Sequence, residues 1–168
     1  MKKISKLMMA AVMMMATVSF ASCSDDEKES ISDSNYYSIL YMGRTLEAGQ
    51  TVYFNPTDDE ITNDFATVTL LINNKTEQEL NTKMKIEKLS GPEVMNNLLV
   101  CYGETCTTGT CPWTSSNMAL HPGVNQDMAI KIEYSPSQVT STTKYRITVG
   151  EGGNFKNPQV MYLELKEL

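Results

Sequence analysis

The sequence predicts an all-β domain, an Ig-like antiparallel β-sandwich of about seven to eight strands, carried behind a signal peptide and a flexible tether. Three observations predict it. From Asn35 onward apolar and polar residues alternate with a period of two, and helical periodicity is nearly absent. Turn-forming residues separate the alternating runs at short intervals. No run is spaced as a strand–helix–strand unit, so a parallel sheet is not expected.

Residues 1–22 form the first segment. Lys2, Lys3 and Lys6 precede an apolar, methionine-rich run from Leu7 to Phe20, followed by the small residues Ala21 and Ser22. A run of about 14 residues is short of the roughly 20 that span a bilayer as a helix, so it is expected to be a cleaved signal sequence. Residues 23–34 form the second segment. After Cys23 comes Ser24-Asp25-Asp26-Glu27-Lys28-Glu29-Ser30, charged, serine-rich and without an apolar side chain to bury, which is expected to be a tether.

Residues 35–168 form the domain. The strands expected in order are Tyr37-Ile39-Tyr41, Val52-Phe54, Ala66–Ile72, Met84-Ile86, Leu98–Val100, Met128–Tyr134, Tyr145–Val149 and Met161–Leu165. Each long run carries one apolar and one polar face, as antiparallel sheets do when a single face meets the core. Ile130 and Ile147 fall on inward phases, Lys131 and Arg146 on outward ones. Turns are expected at Ala48-Gly49, Asn55-Pro56, Asn73-Asn74, Gly91-Pro92, His121-Pro122-Gly123, Ser135-Pro136 and Gly150–Gly153. Glu93–Leu99 is the one stretch that reads equally as a helical turn.

Composition excludes several functions. The chain of 168 residues has a net charge of −6 and is 41% hydrophobic, enough for one packed core. Loss of Lys2, Lys3 and Lys6 with the signal segment takes −6 to about −9, which disfavours nucleic acid as a partner. No Gly-x-Ser-x-Gly, phosphate-binding glycine loop or His-Glu-x-x-His occurs, so no catalysis is expected.

Phe20-Ala21-Ser22-Cys23 resembles a lipobox, the site at which a diacylglycerol is attached to the cysteine before cleavage in front of it. The alternative is an ordinary secretory signal cleaved near Ala21. The Ser24–Glu29 stretch is similar to the acidic export signal of surface lipoproteins of the Bacteroidetes. Lys88-Leu89-Ser90-Gly91-Pro92 leading into Leu99–Cys106, and Tyr134-Ser135-Pro136 ahead of Lys144–Val149, resemble in order and spacing envelope lipoproteins of that group with a single Ig-like domain. The resemblance implies an outer-membrane protein facing the exterior. It would be held to the membrane by the covalent lipid on Cys23, palmitate among its acyl chains, and would have no other cofactor. Beyond fold and location the resemblance implies little; the residues themselves suggest that the sandwich presents the Cys101–Trp113 loop to a partner, an envelope protein, a host component or a glycan, the alternative being a glycan-binding accessory of a polysaccharide-uptake system.

Unusual side chains converge only between Cys101 and His121. Cys101, Cys106, Cys111 and His121 together make a tetrahedral zinc set on paper, but four residues between cysteines is loose spacing for zinc, and an oxidising envelope favours disulfides. Four intervening residues let a strand reverse and bring its flanks opposite, which Cys101–Cys106 and Cys106–Cys111 both satisfy. Cys101 closes an apolar run and Gly103 frees the turn, and the resemblance covers the first pair. The expectation is therefore Cys101–Cys106 bonded, with Cys111 left over or available for an intermolecular bond. Trp113 with Tyr102 is a candidate glycan-binding platform, to which Tyr36 or Tyr162 could add; the alternative is that Trp113 caps the core. Asp58, Asp59 and Glu60 make a solvated turn, without the alternating oxygens of a calcium loop.

Overall fold

A computed structural model of the chain describes residues 31–57, 60–92, 99–108 and 111–166. Residues 1–22, Cys23 and the acidic stretch that follows it, Asp58, Asp59 and Glu93–Leu98 lie outside the described residues. Among the described residues no helix is long and apolar enough to cross a membrane.

Twelve strands are described: β1 (Tyr37–Tyr41), β2 (Arg44–Leu46), β3 (Thr51–Phe54), β4 (Ala66–Asn74), β5 (Leu80–Ser90), β6 (Leu99–Tyr102), β7 (Thr105–Thr108), β8 (Trp113–Thr114), β9 (Met118–Leu120), β10 (Gly123–Tyr134), β11 (Thr143–Glu151) and β12 (Lys156–Leu165). They form two sheets, ordered β2-β1-β4-β10-β6-β7 in sheet A and β3-β12-β11-β5-β8 in sheet B, with β9 beside β5. The excess over the seven or eight strands expected lies in β2, β7, β8 and β9, segments of two to four residues. So short a run has no room to display a period. Leu99, read as part of a helical turn, opens β6.

The long strands follow the alternation. In β4, Ala66, Val68, Leu70 and Ile72 are buried while Thr67 and Thr69 are exposed. Met84 and Ile86 of β5, Tyr145, Ile147 and Val149 of β11, and Met161, Leu163 and Leu165 of β12 are buried with them in one continuous core. The ring of Phe54 meets Tyr134 edge-on, with centroids 6.1 Å apart, a favourable geometry for opposed quadrupoles. Val52, Phe54 and Ile39 complete the short strands' share of the same core.

Two features depart from simple alternation. β10 carries a bulge between Asn125 and Ile130: Asn125 pairs with Ile72 and Ile130 with Leu70, so five steps of β10 oppose two of β4. The bulge shifts the phase, leaving Met128 half-buried and burying Ala129. Secondly, β3 pairs with β12 in parallel, whereas the other pairings are antiparallel. The chain leaves β2 in sheet A, crosses to sheet B at Glu47–Gln50 and so arrives beside the last strand running the same way.

The packed domain begins before Asn35. The backbone N–H of Ser34 donates to Gln159 Oε1 at 2.8 Å, and the Asp33 carboxylate accepts from Ala48 N at 2.7 Å and Gln159 Nε2 at 3.2 Å. Ser34 is buried, and the Lys75 ammonium donates to its carbonyl. Residues 31–36 are therefore bound across one end of the sandwich, and a tether boundary at residue 34 is a few residues late.

Candidate functional site

The loop singled out by its cysteines is built by a hairpin. β6 and β7 pair around a two-residue turn, with Gly103 at φ 63°, and Cys101 lies opposite Cys106. The two are joined in a disulfide as a directly opposed cross-strand pair, with Cα atoms 3.9 Å apart. The pairing is the one expected. It consumes two of the four donors a zinc site here would need. Cys111 takes no part in it and packs, half-buried, against the core. His121 stands apart, 3.2 Å from Glu79 on an exposed edge.

The aromatic platform expected on this loop is not there. Tyr102 is fully buried, as are Val100 and Cys101 before it, while Cys106 on the paired strand is exposed. The Tyr102 hydroxyl shares a hydrogen bond of 2.5 Å with Thr82 Oγ1. Trp113, opposite Ile86 at the edge of sheet B, is half-buried and packs against the core. The Tyr102 ring therefore offers no face for a ligand, and the two rings do not form one exposed surface. Glu60, from the acidic turn, accepts hydrogen bonds from Thr57 N and Oγ1, an ordinary local turn.

The site that the structure does present lies on sheet B. In β11 the inward Tyr145, Ile147 and Val149 leave Arg146 and Thr148 on the outer face, and in β12 Val160 and Tyr162 lie beside them by register. Two segments rise from this floor. One is the bound N-terminal stretch with Asn35 and Tyr36. The other is the loop into β12 with Asn154, Phe155 and Asn157. Between them is a groove of about 590 Å³, within the size range of small-ligand sites. Tyr36 is 40% exposed on its wall.

The loop wall is rigidly built. Phe155 and Asn157 take positive φ of 50° and 49°, a conformation unusual for residues with a Cβ. The Tyr37 hydroxyl donates to the Asn157 carbonyl, and Asn157 Nδ2 to Glu151 Oε1 at 2.9 Å. Gly150 makes the fold-back possible, because a Cβ there would lie 2.7 Å from Phe155 Cα. Gly150→Ala is accordingly expected to cost about 1–3 kcal/mol of stability. A denaturant titration checks it: an unchanged midpoint would show that the loop is not packed on Gly150.

Charge is unevenly distributed. The strands of sheet B hold six cations, Lys83, Lys85, Lys88, Lys144, Arg146 and Lys156, against three anions, Glu87, Glu151 and Glu164. Of these, Lys83, Lys85, Lys144 and Arg146 share the outward phase with Glu87 and Glu164, so on a chain of net −6 the strands give this face more cations than anions. Glu87 is ion-paired with Lys85 at 2.6 Å. Lys144 Nζ lies 4.8 Å from the centre of the Tyr162 ring, and Lys166 Nζ lies 5.4 Å from that of Tyr53. Of the four aromatic residues considered from the sequence, Tyr36 alone lines the groove.

Arg146 was legible only as an outward strand residue, and Asn154 and Phe155 only as the far side of a glycine turn. The signal within reach was the clustering of lysines and arginine on the outward phases of β5 and β11.

At the far end of sheet A, Ser135 and Ser137 hydroxyls both donate to Asp64 Oδ2, the second at 2.7 Å, and these bonds hold the Asp64 carboxyl below its ordinary range. With no histidine there, the trio is a turn clamp rather than a nucleophile.

No family model matches the sequence, and neither does any curated protein sequence. The fold is similar to the N-terminal domain of PorA, with a TM-score of 0.57 and 16% identity over 77% of this chain and 96% of that one. Two further solved structures align less well. A FixG-related protein from Vibrio parahaemolyticus gives a TM-score of 0.42 at 14% identity, over 78% of this chain and 94% of that one. The CooA pilin subunit from enterotoxigenic Escherichia coli gives 0.33 at 12%, over 78% and 97%. At such identities the likeness to the PorA domain is one of fold.

Proposed function

We propose that the chain is a lipid-anchored cell-envelope protein, displayed outward, whose sandwich binds a partner and catalyses nothing. The observation that carries the binding reading is the groove on sheet B. It has a rigid sheet floor, two walls tied down by hydrogen bonds, and one guanidinium among amides and aromatic edges. Its one carboxylate, Asp33, is held by Ala48 and Gln159. Such a lining recognises rather than transfers protons.

Anchoring is supported by the signal-like segment and by Cys23 at the end of a lipobox-like run. Outward display is supported by Asp25, Asp26 and Glu27, similar to the export signal of Bacteroidetes surface lipoproteins. Cys23→Ala is expected to move the protein from the membrane to the soluble fraction. A mutant that stays membrane-bound in high salt would overturn the anchor.

Between a protein and a glycan as the partner, the groove favours a glycan. Asn35, Asn154 and Asn157 each present a donor and an acceptor suited to sugar hydroxyls, and Tyr36 and Phe155 present apolar ring surface suited to the C–H faces of a sugar. A glycan array with the full chain tests this reading, and binding by a groove-lining variant as strong as wild type would place the site elsewhere.

A further inference from the structure

We infer that the groove on sheet B takes an uncharged glycan, one sugar ring lying against Tyr36 and its hydroxyls bonded to the amides of Asn35 and Asn154. This rests on the glycan-binding reading above and narrows it to one chemical class.

The charges that line the groove balance, and the protein itself engages them. Asp33 and Arg146 are the carboxylate and the guanidinium of the lining. Asp33 accepts from Ala48 N and from Gln159 Nε2. Arg146 has a partner within the protein and stands across the ladder from Glu87. Glu87 is in turn ion-paired with Lys85, and Lys144 stands opposite Glu164 with its ammonium over the Tyr162 ring. Lys83 and Lys156 lie outside the lining, where solvent and salt screen them. A uronate brought to this floor comes beside Asp33 and a guanidinium already engaged, and an amino sugar comes beside that same guanidinium. Either ion gives up water without gaining a partner, which costs far more than the same loss does for a hydroxyl.

What the lining leaves open is uncharged. Asn35 and Asn154 are exposed, and neither side-chain amide is taken up by another group among the described residues. Each offers a donor and an acceptor side by side, and sugar hydroxyls both donate and accept. The wall that carries Asn35 and Tyr36 is pinned from beneath. Gln159 is only 1% exposed, and the wall uses both ends of its amide: Oε1 accepts from Ser34 N at 2.8 Å and Nε2 donates to Asp33 at 3.2 Å. Lys75 N donates to the Tyr36 carbonyl at 2.8 Å. The opposite wall, with Asn154 and Phe155, is held through Tyr37, Glu151 and the close approach at Gly150. Two walls fixed in advance leave little to order on binding. A neutral ligand, with no ionic attraction to draw on, depends on that preorganisation.

The test is isothermal titration calorimetry of the full chain in neutral detergent. The probes are neutral tetramers of glucose, mannose and galactose. Each is paired with a tetramer of the same linkage charged on every ring: glucosamine, mannuronate and galacturonate respectively. The expected result is binding of at least one neutral tetramer, unchanged by added salt, with its charged counterpart about tenfold weaker or more. Tyr36→Ala should weaken that binding about tenfold, and Asn154→Ala about threefold to tenfold, the scale of a lost neutral hydrogen bond. Both side chains are exposed, so neither change disturbs the core. Tyr53→Ala removes an exposed ring from β3, outside the groove, and should leave affinity unchanged. A charged tetramer binding as tightly as its neutral counterpart would overturn the inference and leave the glycan reading standing. Neutral binding that Tyr36→Ala and Asn154→Ala both leave intact would overturn the assignment to this groove. Binding of no tetramer would overturn the inference and the glycan reading together.

Discussion

Ile130→Ala is expected to lower the free energy of unfolding by roughly 2–5 kcal/mol, while Lys131→Ala, the next residue, stays within about 0.5 kcal/mol. Ile130 is fully buried and lies in a cross-strand row with Leu70 of β4 and Tyr102 of β6. Removing its side chain leaves a void between two packed sheets, and strands held on both sides cannot collapse into it. Against a total stability of about 5–15 kcal/mol for a domain, that is a large share. The position is also the most informative one for register. Pairing with β4 is interrupted by the bulge after Asn125 and restarts at Ile130, so a slip of one residue would turn Lys131 inward and Ile130 to solvent. A urea titration of both variants checks the phase: equal small losses would show it to be off by one.

Such phases were readable because they are local. β4, β5, β11 and β12 are long enough to repeat a period of two several times, and each then needs only one buried face. Tyr102 was misread for the opposite reason. It ends an unbroken apolar run, Leu98-Leu99-Val100-Cys101, whose inward and outward members cannot be told apart without the turn that follows. A spacing of five positions left Cys101–Cys106 and Cys106–Cys111 equally open; the apolar run ending at Cys101, the turn freedom of Gly103 and the resemblance pointed to the first, which is the bond formed.

The groove could not be anticipated, because its parts are distant in sequence. Ser34 meets Gln159 across 125 positions, and Arg146 faces Tyr36 only once both sheets have assembled. The parallel pairing of β3 with β12 belongs to the same class: it depends on which sheet the chain joins after β2, a choice written in no single segment. The net charge misleads in a related way. A value of −6 for the chain argues against anionic partners on average, yet alternation sends Lys83 and Lys85 of β5 and Lys144 and Arg146 of β11 to one face. Averages over a chain do not resolve the two faces of a sheet.

The second large effect is expected at high pH. Tyr37, Tyr102 and Tyr134 are fully buried between the sheets. Burial is the main cause raising each phenol above its ordinary value of 10.0, to about 12 for Tyr102 and Tyr134; Tyr37 is raised further, with help from the nearby Glu151 carboxylate. A raised acid is neutral in the folded state over a range where the unfolded chain ionises. The stability this represents is complete below about pH 10 and is lost as pH climbs toward about 12. For Tyr102 alone the loss is on the order of 2–3 kcal/mol. With three such groups titrating over neighbouring ranges, the domain is expected to unfold cooperatively in that window, visible as tyrosinate absorbance rising together with loss of β-sheet circular dichroism. Phenylalanine variants separate the contributions. The Tyr102 hydroxyl is paired with Thr82, so Tyr102→Phe should cost about 1 kcal/mol at neutral pH while moving the alkaline midpoint upward. The Tyr134 hydroxyl is buried without a hydrogen-bond partner among the described residues. Tyr134→Phe should therefore be neutral or slightly stabilising at pH 7 and should also raise the midpoint. Tyrosines that titrate near pH 10 with the fold intact would show that these rings reach water, and that the two sheets do not close over them as described.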